Sequence, residues 1–225
     1  MIHVHRIPIP PILAVNSDMW RNTYLAKRKI FTANPSVATR KKMISAGKKY
    51  NQRQVKEALR QMFSDKCAYC ESHITHIDFG EIEHFRPKST FPHLCFDWDN
   101  LLLGCSVCNG AQFKGNNFPE EVENGPIVNP VTDNPGDFLA FEYDPNSGTA
   151  NILEIHHRGK TTVNVLGLNR RELVRHRSDV VRKIAFVAIK AKKGDHEAID
   201  ELNRCCEKDQ EYAAFARSLK AHFGI

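Results

Sequence analysis

With 225 residues, 41% of them hydrophobic, the chain is long enough for one large domain or two small ones and can bury roughly 70% of its unfolded surface. No stretch approaches the roughly 18–20 apolar residues of a membrane-spanning helix, and no apolar signal segment follows Met1. A soluble, cytoplasmic protein with reduced thiols is therefore expected. The net charge of +6 and pI near 8.9 favour a polyanionic partner without establishing one.

In chain order, Pro8 to Leu13 is proline-rich and reads as an extended arm. A helix is expected from Ser17, as N-cap, to Phe31, offering Trp20, Tyr24, Leu25 and Phe31 to a core. Asn34-Pro35 interrupts it. Ser36 can cap a second helical stretch from Val37 to Phe63, with Val55, Leu59, Met62 and Phe63 at helical spacing. Residues 1–64 are thus expected to be an arm and helical scaffold, 65–120 a functional core, and 121–225 a region packed on that core.

Two Cys-x-x-Cys pairs, Cys67/Cys70 and Cys105/Cys108, dominate the middle. Tetrahedral Zn²⁺ takes two thiolates from each such bend and ties distant segments together. Their separation exceeds the roughly 15–20 residues of an ordinary zinc ribbon, so the insert must carry structure of its own. Seven cysteines is an odd number, which speaks against a disulfide framework. Cys95, Cys205 and Cys206 lack a close, regular partner and read as packing thiols. His73 and His76 are not needed once four thiolates complete a tetrahedron.

Within the insert, Ile82-Glu83-His84-Phe85-Arg86-Pro87-Lys88 ends a short alternating run that can be a strand. Successive strand residues point to opposite faces, so a bend near Pro87 is needed to bring Glu83 and His84 to one site. Hydrolysis of a phosphodiester requires a base for water and a cation for the developing charge. His84 can supply the base, while Glu83 and the amide oxygen of Asn109 can ligate a hard Mg²⁺ or Mn²⁺. Asn116 and Asn117 are alternative ligands to Asn109. Arg86, Lys88 and Lys114 lie near the motif and are candidate phosphate contacts. Phe96 and Trp98 read as core of the hairpin.

Beyond a proline- and asparagine-rich loop from Pro126 to Pro135, Phe138–Tyr143 and Thr149–Ile155 flank Asp144-Pro145-Asn146-Ser147-Gly148 and read as a β-hairpin. Helices are expected from Thr161 to Leu168, from an Asn169 cap to about Lys193, from Asp195 to Cys206 and from Lys208 to Phe223. Between Arg170 and Lys193, nine basic residues stand against Glu172 and Asp179, either a phosphate track or a solvated face.

Glu83-His84, Asn100 and Asn109, bracketed by cysteine pairs, resemble the HNH endonucleases. The resemblance implies an α+β protein built on a ββα-metal core, here with a four-cysteine zinc clamp, a mainly helical surround and an extra β-hairpin. It implies His84 as general base, Glu83 and Asn109 as metal ligands, and Asn100 as the residue that fixes the His-bearing loop. Glu replaces the commoner Asp before His84, and Asn109 stands where many members have His. Cys67-Ala68-Tyr69-Cys70-Glu71, Phe96-Asp97-Trp98-Asp99-Asn100-Leu101, Lys114-Gly115-Asn116-Asn117-Phe118-Pro119 and Leu166-Gly167-Leu168-Asn169 are similar to the PtuB family. Its members are the HNH nucleases of Septu and related retron anti-phage cassettes. That narrower resemblance implies a nucleic-acid substrate and a PtuA-like ATPase partner, and in retron cassettes a reverse transcriptase with its RNA-DNA product. Two other readings fit the same residues: a catalytically silent, zinc-stabilised adaptor, and a stand-alone restriction-type nuclease.

Overall fold

A computed structural model describes residues 1–74 and 79–225; His76 lies outside them. The fold is α+β, with one continuous cluster of buried side chains running from Met1 to Leu219. No helix among the described residues is long and apolar enough to cross a membrane.

Helix α1 spans Pro11–Ala33, so the extended arm stops short of Leu13 and Ser17 lies inside the helix rather than capping it. The physical reason is Pro11 at the first helical position, where the missing N–H has no partner to lose and φ is already helical. The N–H groups of Leu13 and Ala14 donate to the Pro10 carbonyl. Trp20 and Tyr24 are buried and pack on Phe96, with ring centroids 5.9 and 6.2 Å away. Helix α2, Val37–Ala46, has the expected Ser36 cap, with Thr39 closing a reciprocal capping box.

The single helical stretch expected up to Phe63 is in fact two. Helix α2 ends at Gly47, and α3 occupies Arg53–Phe63. Gly47, at the C-cap, leaves room for the Tyr24 ring, which a Cβ there would meet at 2.7 Å, and the intervening turn carries Tyr50 toward His84. Helix α3 buries Val55, Leu59, Met62 and Phe63, then ends at Ser64 in the left-handed region.

Strand β1, Glu81–His84, pairs antiparallel with β2, Leu101–Gly104, in the register Glu83↔Leu102 and His84↔Leu101. All four residues of β2 are buried, as a strand covered on both faces requires. The one-turn helix α4, Ser106–Asn109, follows directly, completing a ββα unit. The Ala68 N–H donates to the Leu103 carbonyl at 2.8 Å, which docks the first cysteine bend on β2.

Strands β3, Leu139–Asp144, and β4, Thr149–Glu154, form the expected hairpin. Asp144 accepts from the N–H groups of Asn146 and Ser147 and fixes the turn. Helix α5, His157–Leu166, begins one turn earlier than expected because His156 caps it through Nδ1. Helices α6, Arg171–Lys192, α7, His196–Cys205, and α8, Ala213–Phe223, complete the chain. The hairpin packs against α5, α6 and α8.

Asn169 does not cap α6. Its amide donates to the Ile152 carbonyl at 2.7 Å and accepts from the Ile152 N–H at 3.0 Å, pairing with the edge of β4 as a backbone would. Arg177 is fully buried among the Ala150 and Leu168 carbonyls, both at 2.8 Å, the Asn169 amide oxygen and the face of Phe215. Burial brings its pKa down to about 10, so the guanidinium stays charged at neutral pH. Arg177→Ala takes the guanidinium donors from the Ala150 and Leu168 carbonyls, and at about 1–3 kcal/mol for each unsatisfied buried group a loss of about 2–6 kcal/mol is expected in urea unfolding.

Candidate active site

The two cysteine bends meet. Cys67 and Cys70 follow α3, Cys105 caps α4, and Cys108 lies within it. The four Sγ atoms all lie within 4.8 Å of one another, compatible with the ~3.8 Å edge of a tetrahedron with ~2.3 Å Zn–S bonds. Four soft sulfur donors in such a cluster fit a structural metal of the zinc type. Polar contacts to the sulfurs favour thiolates at Cys70 and Cys105, while burial and the neighbouring sulfurs hold Cys67 and Cys108 above the ordinary thiol range. Cys105 N–H points at Cys67 Sγ at 3.4 Å, and Cys108 N–H at Cys105 Sγ at 3.3 Å. Arg170 directs both terminal nitrogens at Cys108 Sγ, each at 3.6 Å. Ser72 Oγ lies 3.4 Å from Cys70 Sγ and 2.8 Å from the Tyr212 hydroxyl.

Beside this clamp, a cavity of about 300 Å³ is lined by Tyr50, Glu83, His84, Lys88, Asn109 and Asn116, among others. Glu83 and His84 are adjacent in β1, yet both reach this cavity at the strand end. Glu83 and Asn109 converge across Gly104: a Cβ built on that glycine would lie 3.3 Å from the Glu83 Cβ and 3.6 Å from the Asn109 Cβ. A side chain at position 104 would crowd Glu83.

His84 is buried, with its ring edge-on to Tyr50 at 4.5 Å between centroids. Its Nε2 lies 2.9 Å from the Cys95 carbonyl. A carbonyl only accepts, so Nε2 carries the hydrogen and the neutral ring keeps its lone pair on Nδ1. Desolvation, helped by the charges of Lys88 and Lys114, lowers the imidazole to about 4, so the ring is neutral at pH 7.

The Glu83 carboxylate is buried, with Oε1 held by Lys114 Nζ at 2.5 Å and the Tyr69 hydroxyl at 3.3 Å. Burial pushes its pKa above the ordinary value, against the pull of Lys114 and Tyr69. Lys114 also donates to the His84 carbonyl at 2.9 Å and is fully enclosed. This corrects the expectation that Lys114 meets phosphate: an ammonium without solvent exposure neutralises an internal carboxylate and braces the end of β1.

Asn109 is half-buried and gives Nδ2 to Glu81 Oε2 at 2.5 Å, so Oδ1 is the atom it would offer a cation. Asn116 lines the same cavity and accepts from Ser89 Oγ at 3.0 Å. Asn117 instead donates to the Phe113 carbonyl. Lys88 borders the cavity and donates to the Tyr50 hydroxyl at 2.9 Å. Arg86 is exposed but lies over the rings of Phe91 and Phe118 and lines a different cavity, with Asp97 and Arg158.

Asn100, buried at the entry to β2, accepts from the Arg86 N–H at 2.8 Å and donates to the Arg86 and Leu94 carbonyls at 3.0 and 3.2 Å. It closes the loop between β1 and β2 at two points. Asn100→Ala is expected to lower stability by about 2–3 kcal/mol and to reduce cleavage by loosening His84; chemical denaturation alongside a cleavage assay reads both. Cys95, Phe96 and Trp98 are buried, as core residues should be.

Residues 67–114 match the family model for HNH endonucleases. The Septu protein PtuB of Bacillus mycoides strain KBAB4 is 32% identical over 213 residues, covering 82% of this chain and 68% of that protein. The chain belongs to the PtuB family of HNH endonucleases. A Septu protein PtuB from Bacillus thuringiensis is 38% identical over 117 residues, covering 51% of this chain and 41% of its own. A candidate HNH endonuclease of retron Vc95 from Vibrio cholerae is 26% identical over 155 residues, covering 66% and 73%.

In this PtuB-family nuclease, sequence reasoning missed Tyr50, Tyr69 and Arg170. Tyr50 was hidden in a presumed helix. Tyr69 lies between two cysteines, where attention falls on the thiols. Arg170 was counted with the basic face of α6.

Proposed function

We propose that the cavity between β1, β2 and α4 hydrolyses nucleic-acid phosphodiester bonds. The observation that carries this reading is the His84 tautomer: Nε2–H is committed to the Cys95 carbonyl, so Nδ1 is free to take a proton from water. A phosphodiester anion in the cavity opposes the lowering of the imidazole pKa and favours that transfer. A Mg²⁺ or Mn²⁺ ion, when bound, neutralises charge growing on the phosphoryl and leaving oxygens. Glu83 through Oε2 and Asn109 through Oδ1 would hold it, with Asn116 the alternative to Asn109. Lys114 and Tyr69 keep Glu83 Oε1 fixed, which orients the other oxygen. Asn100 maintains the His84 loop, and Lys88, at the edge of the cavity, offers charge to the entering strand. Zn²⁺ on Cys67, Cys70, Cys105 and Cys108 is the structural clamp.

The family names of the relatives support a role as the nuclease of a Septu or retron anti-phage system, acting in the cytoplasm with a PtuA-like ATPase. A retron reverse transcriptase and its RNA-DNA product are the corresponding partners in a retron cassette. Incubating the purified protein with supercoiled plasmid and Mn²⁺ is expected to give nicked product, and EDTA should stop it. A protein inert with plasmid and with single-stranded RNA, alone or with its ATPase, would overturn this reading in favour of a silent adaptor.

A further inference from the structure

The basic face of α6 divides in two. Arg177 turns into the core, and Arg170, just ahead of the helix, reaches Cys108. Arg171, Arg175 and Arg182 remain exposed, and helical geometry sets them within about 40° of one another, with rises of about 6 Å and then about 10 Å. They line one wall of an open groove of about 450 Å³, whose other wall is the β3–β4 turn with Ser147, Thr149 and Asn151. Gly148 adopts a left-handed conformation in this turn, with φ +67°, and the position of a Cβ there lies 4.0 Å from Arg182 Nε, so the two walls stand at contact distance. The acidic residue in the groove, Asp179, pairs with Arg182 at 3.1 Å, an exposed pair of little strength.

The groove is also tied to the nuclease core. Arg171 directly follows Arg170, whose guanidinium is on Cys108 Sγ, and Cys108 precedes Asn109. At the other wall, Arg177 and Ser178 hold α6 against the Ala150 carbonyl and N–H of β4. Both walls are therefore set before any ligand arrives, and the groove starts next to the clamp that carries Asn109.

We propose that this groove is a second nucleic-acid contact, outside the catalytic cavity, which takes the sugar-phosphate backbone through Arg171, Arg175 and Arg182. The proposal rests on the nuclease reading above. Guanidinium forks match phosphate oxygens, and the hydroxyl and amide groups of the turn suit phosphate and sugar contacts that position a strand without reading its sequence. Binding through the groove should therefore be sequence-independent and salt-sensitive.

The test uses the full chain carrying His84→Ala, so that probes survive, and measures anisotropy of a labelled DNA duplex and a labelled single-stranded RNA over a range of salt. Arg171→Ala/Arg175→Ala should weaken binding of at least one probe about ten-fold and reduce the slope of log K against log[salt] by about 1.4–1.8, the loss of two phosphate contacts. The probe affected identifies the nucleic acid. Lys183→Ala/Lys190→Ala removes the same charge about 100° around the helix and should change affinity less than two-fold. Unchanged binding by the groove variant, or an equal loss in the control, overturns the proposal. Failure here leaves plasmid cleavage by the parent protein intact, so it is distinguishable from failure of the nuclease reading.

Discussion

Replacing His84 with alanine is expected to reduce phosphodiester cleavage by about 10²–10⁴-fold, the range for loss of a general base, while the protein stays folded and keeps its zinc. The folded state loses one hydrogen bond to the Cys95 carbonyl and an edge-on contact with Tyr50, a cost on the order of 1–3 kcal/mol. The β1–β2 pairing, the Asn100 bonds and the cysteine clamp are formed by other residues. Cleavage rate, zinc content and thermal midpoint measured on one preparation separate the two effects. Full activity in the variant would place the base elsewhere.

The second large effect concerns the clamp. Cys105→Ser should leave the protein short of zinc and lower its thermal midpoint and solubility, because a serine hydroxyl stays protonated and cannot replace a thiolate. The substitution is a clean one. Cys105 is the N-cap of α4, accepting from the Cys108 N–H, and serine is among the best residues for that task. A loss of stability therefore reports the metal rather than the start of the helix. Chelating zinc from the parent protein should reproduce the shift. If the variant melts like the parent and the parent contains no zinc, the four thiols are a packing cluster and nothing more.

The parts of the fold that were legible in the sequence are those with short-range causes. The β3–β4 hairpin is marked by Asp144 through Gly148, which fold the turn with their own backbone and side-chain bonds. Ser36 caps α2 through residues within its first turn. The ββα unit was readable because the two cysteine pairs, Glu83-His84 and Asn109 come at fixed spacings. What was not legible depends on packing between distant segments. Lys114 looked like a surface charge, and only the approach of Glu83 and the end of β1 encloses it. The face that α6 turns inward selects Arg177 for the core and leaves Arg175 outside, a choice that composition does not encode. The proline arm misled because Pro11 restricts the chain before the helix but suits its first residue.

The supports of the cysteine clamp come from far along the chain: Arg170 on Cys108, and Tyr212 through Ser72 on Cys70. During synthesis, both cysteine bends and the Glu83–His84 pair leave the ribosome well before either support. A growing chain thus carries the residues of the candidate site before the side chains that support the clamp. Until the chain has reached Tyr212, Ser72 lacks the hydroxyl partner that holds it beside Cys70 in the complete fold.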